Sequence, residues 1–262
     1  MEKLPARVGW HWIKQGWALF RKQPGGMMAL LFVCMFASLI IMLLPVLGQI
    51  LWALLMPMFT IALLQGCAEI DQGRRALPQF LLAGLQSPMR KHLLGMGLLN
   101  LLLMLLAMLA IYGISGEAME GLRTAQARGS IKPEDVEGLF GGMLAGSAIY
   151  MVGWLLTSMT APLIFWQKMA FSKALFFSVV SVLRAIRPLV SAVLILHLFY
   201  FFGIQIIVLV LGVSQLSVAG IFTLFLISLV LVHCMLYAAY AQIFGPPQTP
   251  PSAPATVDLD KQ

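Results

Sequence analysis

The sequence predicts an all-α, polytopic membrane protein with six transmembrane helices and amphipathic interfacial helices beside them. Composition is the first observation. Hydrophobic residues make up 60% of the 262 residues and charged residues only 10%, against about 25% charged in an ordinary soluble domain. Mean hydropathy is +0.92. The second is length. Crossing the ~30 Å hydrocarbon core takes roughly 20 helical residues, and apolar runs on that scale recur at 27–47, 50–66, 93–114, 140–166, 189–213 and 216–244. The third is period: none of the six shows the alternation, over about ten residues, of a membrane barrel strand.

The first segment, 1–26, is expected to be an amphipathic interfacial helix. At 100° per residue Ala6, Trp10, Ile13, Trp17 and Phe20 share one face, and Arg7, His11, Lys14, Arg21 and Lys22 fall on the adjoining one. Tryptophan beside lysine and arginine suits a helix lying among headgroups, and the basic flank suits anionic lipid. Trp10, Trp17, Phe20, Lys14, Arg21 and Lys22 are therefore the expected membrane-interface residues. The segment reads as a juxtamembrane anchor or as a regulatory lipid sensor. Trp12 and Leu19 lie off the main stripe, a sign of packing against the bundle. Pro24 ends the helix.

Residues 27–244 form the expected membrane domain. Pro45 and Gly48 mark a tight turn between the first two spans, and Pro57 interrupts the second, which is short at its apolar core. Residues 76–87 can place Leu77, Phe80, Leu81 and Leu85 on one helical face. A second helix-like connection runs over 167–187 with Lys173, Arg184 and Arg187 on a broad face. An amphipathic helix, a proline (Pro24, Pro88, Pro188) and two spans thus recur, which suggests three degenerate two-span repeats. The 115–139 loop is the one sizeable connection on the other side; 118–128 reads as a short helix, and Pro133 with Glu134 and Asp135 as the start of another. Residues 245–262, with five prolines and no aromatic, read as a disordered cytoplasmic tail.

The formal net charge of +7 comes from segments beside spans, so nucleic acid is a poor partner and positive-inside topology a better explanation. Lys3, Arg7, Lys14, Arg21, Lys22, Arg74, Arg75, Arg90, Lys91, Lys168, Lys173, Arg184, Arg187 and Lys261 lie on one side; Arg123, Arg128 and Lys132 lie on the other. Both termini are expected in the cytoplasm, with the chain in a bacterial inner membrane. Cys34, Cys67 and Cys234 sit in or at the ends of spans and imply no disulfide framework.

The span interiors hold no Asp, Glu, Lys or Arg. A charge at mid-bilayer costs roughly 2.5–3.5 kcal/mol on insertion scales and is kept mainly for function. Its absence counts against proton coupling and voltage sensing. The polar residues singled out within the spans are Asn100, Tyr112, Ser147, Tyr150, His197, Gln205 and His233; Asn100, His197, Gln205 and His233 are the intramembrane candidates. Asn100 and Gln205 suit interhelical hydrogen bonds. Two histidines without a carboxylate or thiolate partner make a weak ligand set, so no metal or other cofactor is expected. Gly142, Gly146 and Gly153 form a small-residue face for helix packing within the chain or, alternatively, in a homodimer. Glu69 and Asp71 beside Arg74 and Arg75 suit a salt bridge across the connection or, as the alternative, a cationic headgroup. No nucleophile–base set, phosphate loop or metalloprotease motif is present, so no catalytic residue is assigned.

The motif Gly9-Trp10 … Gly16-Trp17-Ala18-Leu19-Phe20-Arg21 … Pro24, followed by Gly73 … Leu77-Pro78, resembles an uncharacterised family of six-span proteobacterial inner-membrane proteins over residues 5–244. The plan is similar, more distantly, to the membrane domain of some bacterial glycerophosphodiester phosphodiesterases. The chain lacks the phosphodiesterase domain, so the resemblance implies no such activity.

These readings lead to a non-enzymatic inner-membrane protein that organises lipid or scaffolds partner proteins, with anionic lipid headgroups, a protein partner or a second copy as partners. The alternative is a transporter or channel for a neutral or lipophilic solute, which requires a midplane cavity lined by Asn100, Gln205 or His197.

Overall fold

A computed structural model describes residues 5–129 and 134–247. Its elements are helical, and no strand occurs among the described residues. Six helices are long and apolar enough to cross a membrane. In order, the chain forms α1 (Arg7–Lys22), α2 (Pro24–Met42), α3 (Leu47–Asp71), a 3₁₀ turn (Pro78–Leu82), α4 (Ala83–Gln86), α5 (Arg90–Ala127), α6 (Glu134–Glu137), α7 (Leu139–Thr157), α8 (Thr160–Gln167), α9 (Phe171–Arg184), α10 (Ile186–Leu211) and α11 (Gln215–Phe244).

The element order recurs three times: a short helical segment and then a long hairpin. The hairpins are α2/α3, α5 with α7/α8, and α10/α11. Each short segment lies against a hairpin other than the one it leads into. The 3₁₀ turn and α4 rest on α2 and α3, and α9 rests on α7 and α8. α1 rests on α10 and α11 and so closes the ring.

Several boundaries differ from the hydropathy reading. The second span is not short: α3 runs 25 residues and carries Glu69 and Asp71 in its last turn. Hydropathy undercounts it because its end is polar yet buried, with Gln65 and Glu69 covered by neighbouring helices. Residues 76–87 form no continuous amphipathic helix but a 3₁₀ turn and one turn of α-helix. Gly84 there lies so close to Met58 that an added Cβ would fall 2.9 Å from that side chain. The expected short helix at 118–128 is the continuation of α5 past a kink at Ser115. The Ser115 hydroxyl donates to the Gly138 carbonyl and accepts from the Gly142 amide, so the kinked residue ties α5 to the start of α7. Lys3, Lys132, Pro133, Lys261 and the tail beyond Pro247 lie outside the described residues.

The buried core gathers at the end of the bundle that carries the short helices. Trp12, Met27, Leu30, Ile61, Leu64, Leu93, Met159, Val230 and Tyr237 are all buried there. Contacts between units concentrate at that end: a Cβ on Gly97 of α5 would fall 2.1 Å from the Leu54 carbonyl oxygen of α3. Toward the other end the close approaches lie within a hairpin, as between Gly142 and Ser115 or Gly203 and Leu224. Large apolar side chains stand exposed there, with Leu209 at 85% and Val213 at 99%. That surface suits lipid, which has no preference between a leucine and its own chains.

Candidate functional site

α1 presents three faces. Gly9, Trp12, Gly16, Leu19 and Phe20 are buried against the bundle. Trp10 (47% exposed) and Trp17 (44%) form an open aromatic edge, with the Lys14 ammonium 5.6 Å from the Trp10 ring centre. Arg7, Lys14, Arg21 and Lys22 are exposed on the basic side. Phe20 departs from the expected interface set. It lies between the aromatic and buried stripes on the helical wheel, and docking of α1 draws it inward.

The two Gly-Trp pairs now have a physical reason. A Cβ on Gly9 would lie 2.2 Å from the Pro188 carbonyl oxygen, and one on Gly16 would lie 2.8 Å from the Met235 nitrogen. Glycine is what lets α1 reach the backbones of α10 and α11. Trp12, fully buried, donates its indole N–H to Gln242.

A polar chain runs under this docking face. The Trp166 indole donates to Gln65 Oε1 at 2.9 Å, and Gln65 Nε2 donates to Glu69 at 2.9 Å. Glu69, only 2% exposed, pairs with Arg74 as the sequence suggests. The hydrogen bond to Glu69 raises the Arg74 guanidinium above its ordinary pKa, against the opposing pull of burial. Gln23 ties the first linker to the third by donating to the Arg74 carbonyl and accepting from the Ala76 amide. The Tyr237 hydroxyl donates to Asp71 at 2.9 Å. Cys67 and Cys234, 167 residues apart, meet with their sulfurs 3.1 Å apart. Sequence reasoning missed that pair because nothing in either helix announces which neighbour it faces.

The intramembrane candidates separate. His197 and Gln205 are exposed on α10, and Tyr112 and Ser147 are exposed as well. The His197 Nδ1 donates to the Val193 carbonyl of its own helix. His197 and His233 therefore make no shared site, and no cluster of three metal-ligating side chains occurs among the described residues. Gly142, Gly146 and Gly153 pack against Ser115, Ile111 and Leu103 of α5, so the small-residue face is occupied inside the chain.

Asn100, Tyr150 and His233 come together. They line one cavity of about 180 Å³ with Thr60, Thr157 and Ser158, among apolar side chains that include Met56, Trp154 and Leu229. Asn100 sits ten residues into α5 and His233 eleven residues before the end of α11, about 15 Å along each helix from that end at 1.5 Å per residue. Two helix irregularities border the cavity: Pro57 within α3 and the break between α7 and α8 at Ser158–Met159. Non-helical backbone within a span is tolerated where it is buried or faces a cavity. A separate groove of about 470 Å³ lies beside α1, edged by Gln15, Lys22, Asp71, Tyr237 and Gln242.

No family model matches the chain. A protein of Burkholderia thailandensis, named a probable inner membrane protein, is 27% identical over 259 residues, which cover 93% of this chain and 93% of that one. No solved structure matches. With the six long apolar helices, the likeness supports a multi-pass inner-membrane location and an uncharacterised inner-membrane family. It lends nothing to the Gly-Trp motif as a family signature or to a kinship with phosphodiesterase membrane domains.

Proposed function

We propose that the chain is a non-enzymatic organiser of the inner membrane that gathers anionic lipid around the face bearing its short helices. The observation that carries the reading is the posture of α1. Its glycines and Trp12 pin it to the bundle, while Trp10, Trp17, Lys14, Arg21 and Lys22 stay exposed along its length. A fixed helix with an aromatic edge and a basic edge is suited to headgroups, and each basic residue near an anionic surface adds about 1 kcal/mol. The excess of lysine and arginine on this side makes it the cytoplasmic one, with both termini inside.

The test is quantitative lipid analysis of the protein extracted with its surrounding membrane into nanodiscs. Anionic lipid should be enriched over the bulk membrane. Reversing Lys14, Arg21 and Lys22 to glutamate together should remove the enrichment. Equal lipid composition in wild type and variant would overturn the reading. A protein co-extracted in fixed ratio would move the emphasis to scaffolding.

The alternative, a transporter or channel for a neutral or lipophilic solute, has one observation in its favour: Asn100 lines a cavity between the spans. His197 and Gln205 lie outside it, which leaves a pocket rather than a lined path.

A further inference from the structure

We propose that the cavity between α3, α5, α7 and α11 binds a neutral diol or polyol group, borne by a membrane amphiphile or by a free solute. This does not rest on the lipid-organising reading, since it concerns the bundle interior and not the basic surface.

The argument is an inventory of donors and acceptors. Among the described residues, neither the Asn100 amide nor the Tyr150 hydroxyl makes a hydrogen bond, although both line the cavity. The His233 Nδ1 is 2.8 Å from the Leu229 carbonyl. A carbonyl only accepts, so Nδ1 carries the proton and Nε2 of the neutral ring remains an acceptor. The hydroxyl protons of Thr60, Thr157 and Ser158 are spent on the carbonyls of Met56, Gly153 and Leu155 in their own helices. Their oxygens keep lone pairs for the cavity.

The site thus offers one amide and one phenol that both donate and accept, and up to four groups that only accept. Asn100, Tyr150 and His233 are half-buried, and the convergence of their unpaired amide, phenol and ring nitrogen on one cavity points to an occupant that matches them. No Asp, Glu, Lys or Arg lines it, which leaves an ion without a counter-charge and favours a neutral guest. A hydroxyl donates one hydrogen bond and accepts two, and two or more hydroxyls match donor-and-acceptor groups beside acceptors. Met56, Pro57, Trp154 and Leu229 cover the carbon skeleton. About 180 Å³ admits a small head and not a whole phospholipid.

The experiment uses the full chain in phosphatidylcholine nanodiscs, whose headgroups carry no hydroxyl. Two probes with the same head are titrated separately: soluble 1,2-butanediol and membrane-borne 1,2-hexadecanediol. The readout is Trp154 fluorescence, isolated by subtracting the Trp154→Phe protein. A saturable change is expected, weakened about tenfold by Tyr150→Phe, which removes a single oxygen, and abolished by Asn100→Leu. Gln205→Leu, outside the cavity, should leave it intact. Thermal melting identifies any variant that fails to fold, and Tyr150→Phe then carries the test alone. Response to both probes assigns the head to a free solute, and response to the long-chain diol alone assigns it to a membrane amphiphile. No saturable response to either, or one that Tyr150→Phe and Asn100→Leu leave unchanged, means that water fills the cavity and overturns the proposal.

Discussion

Replacing Gly16 should release α1 from the bundle in proportion to the size of the new side chain. A Cβ there would lie 2.8 Å from the Met235 nitrogen and 3.1 Å from the Cys234 carbonyl carbon. Both are backbone atoms of α11 and have no flexible end to yield. Overpacking of this kind costs about 1–3 kcal/mol, and alanine regains about 1 kcal/mol over glycine in a helix. Gly16→Ala should therefore weaken docking by up to about 2 kcal/mol, or up to about 30-fold in local opening. Gly16→Leu forces the helices apart and uncovers Trp12 and Leu19, each contributing up to about 3 kcal/mol by burial. The contribution is smaller where the released helix settles among headgroups instead of water. The assay is amide hydrogen exchange across residues 7–22 in nanodiscs. Gly25→Ala is the control, because a Cβ at Gly25 meets nothing within 4 Å. Unchanged exchange in Gly16→Leu, or equal loosening in Gly25→Ala, would refute the docking account.

Gly97→Ala should destabilise the bundle by about 1–3 kcal/mol, since its Cβ would strike the Leu54 backbone of the neighbouring unit. Gly113→Ala, with open space around it, should be neutral or slightly stabilising; detergent-titrated unfolding compares the two. Copper–phenanthroline oxidation should link Cys67 to Cys234 and leave Cys34 reduced; a peptide map with Cys34 in a crosslink would contradict the contact. Arg74→Ala leaves Glu69 charged and 2% exposed, at a loss of about 3 kcal/mol. Glu69→Leu with Arg74→Leu should lose less than the sum of the single changes, and additive effects in the double-mutant cycle would mean that the two side chains do not interact.

The sequence by itself determined the class of this protein. Helices of 19 or more apolar residues follow from composition and length, because hydrocarbon leaves the backbone no partner except itself. The basic bias and the prolines before each hairpin were legible for the same reason: they are local properties of the chain. The Gly-Trp pairs were visible as a pattern, but only the tertiary structure supplied the contact that needs them. Asn100, Tyr150 and His233 were legible as polar residues in apolar runs. Which of the seven would share a cavity was not. His197 and Gln205 have the same chemistry and the same kind of surroundings in sequence, yet α10 turns them outward. The rotation of a uniformly apolar helix leaves no periodic trace when both its faces are leucine-rich. Packing against neighbouring helices decides it, as it decided that Cys67 and Cys234 should meet.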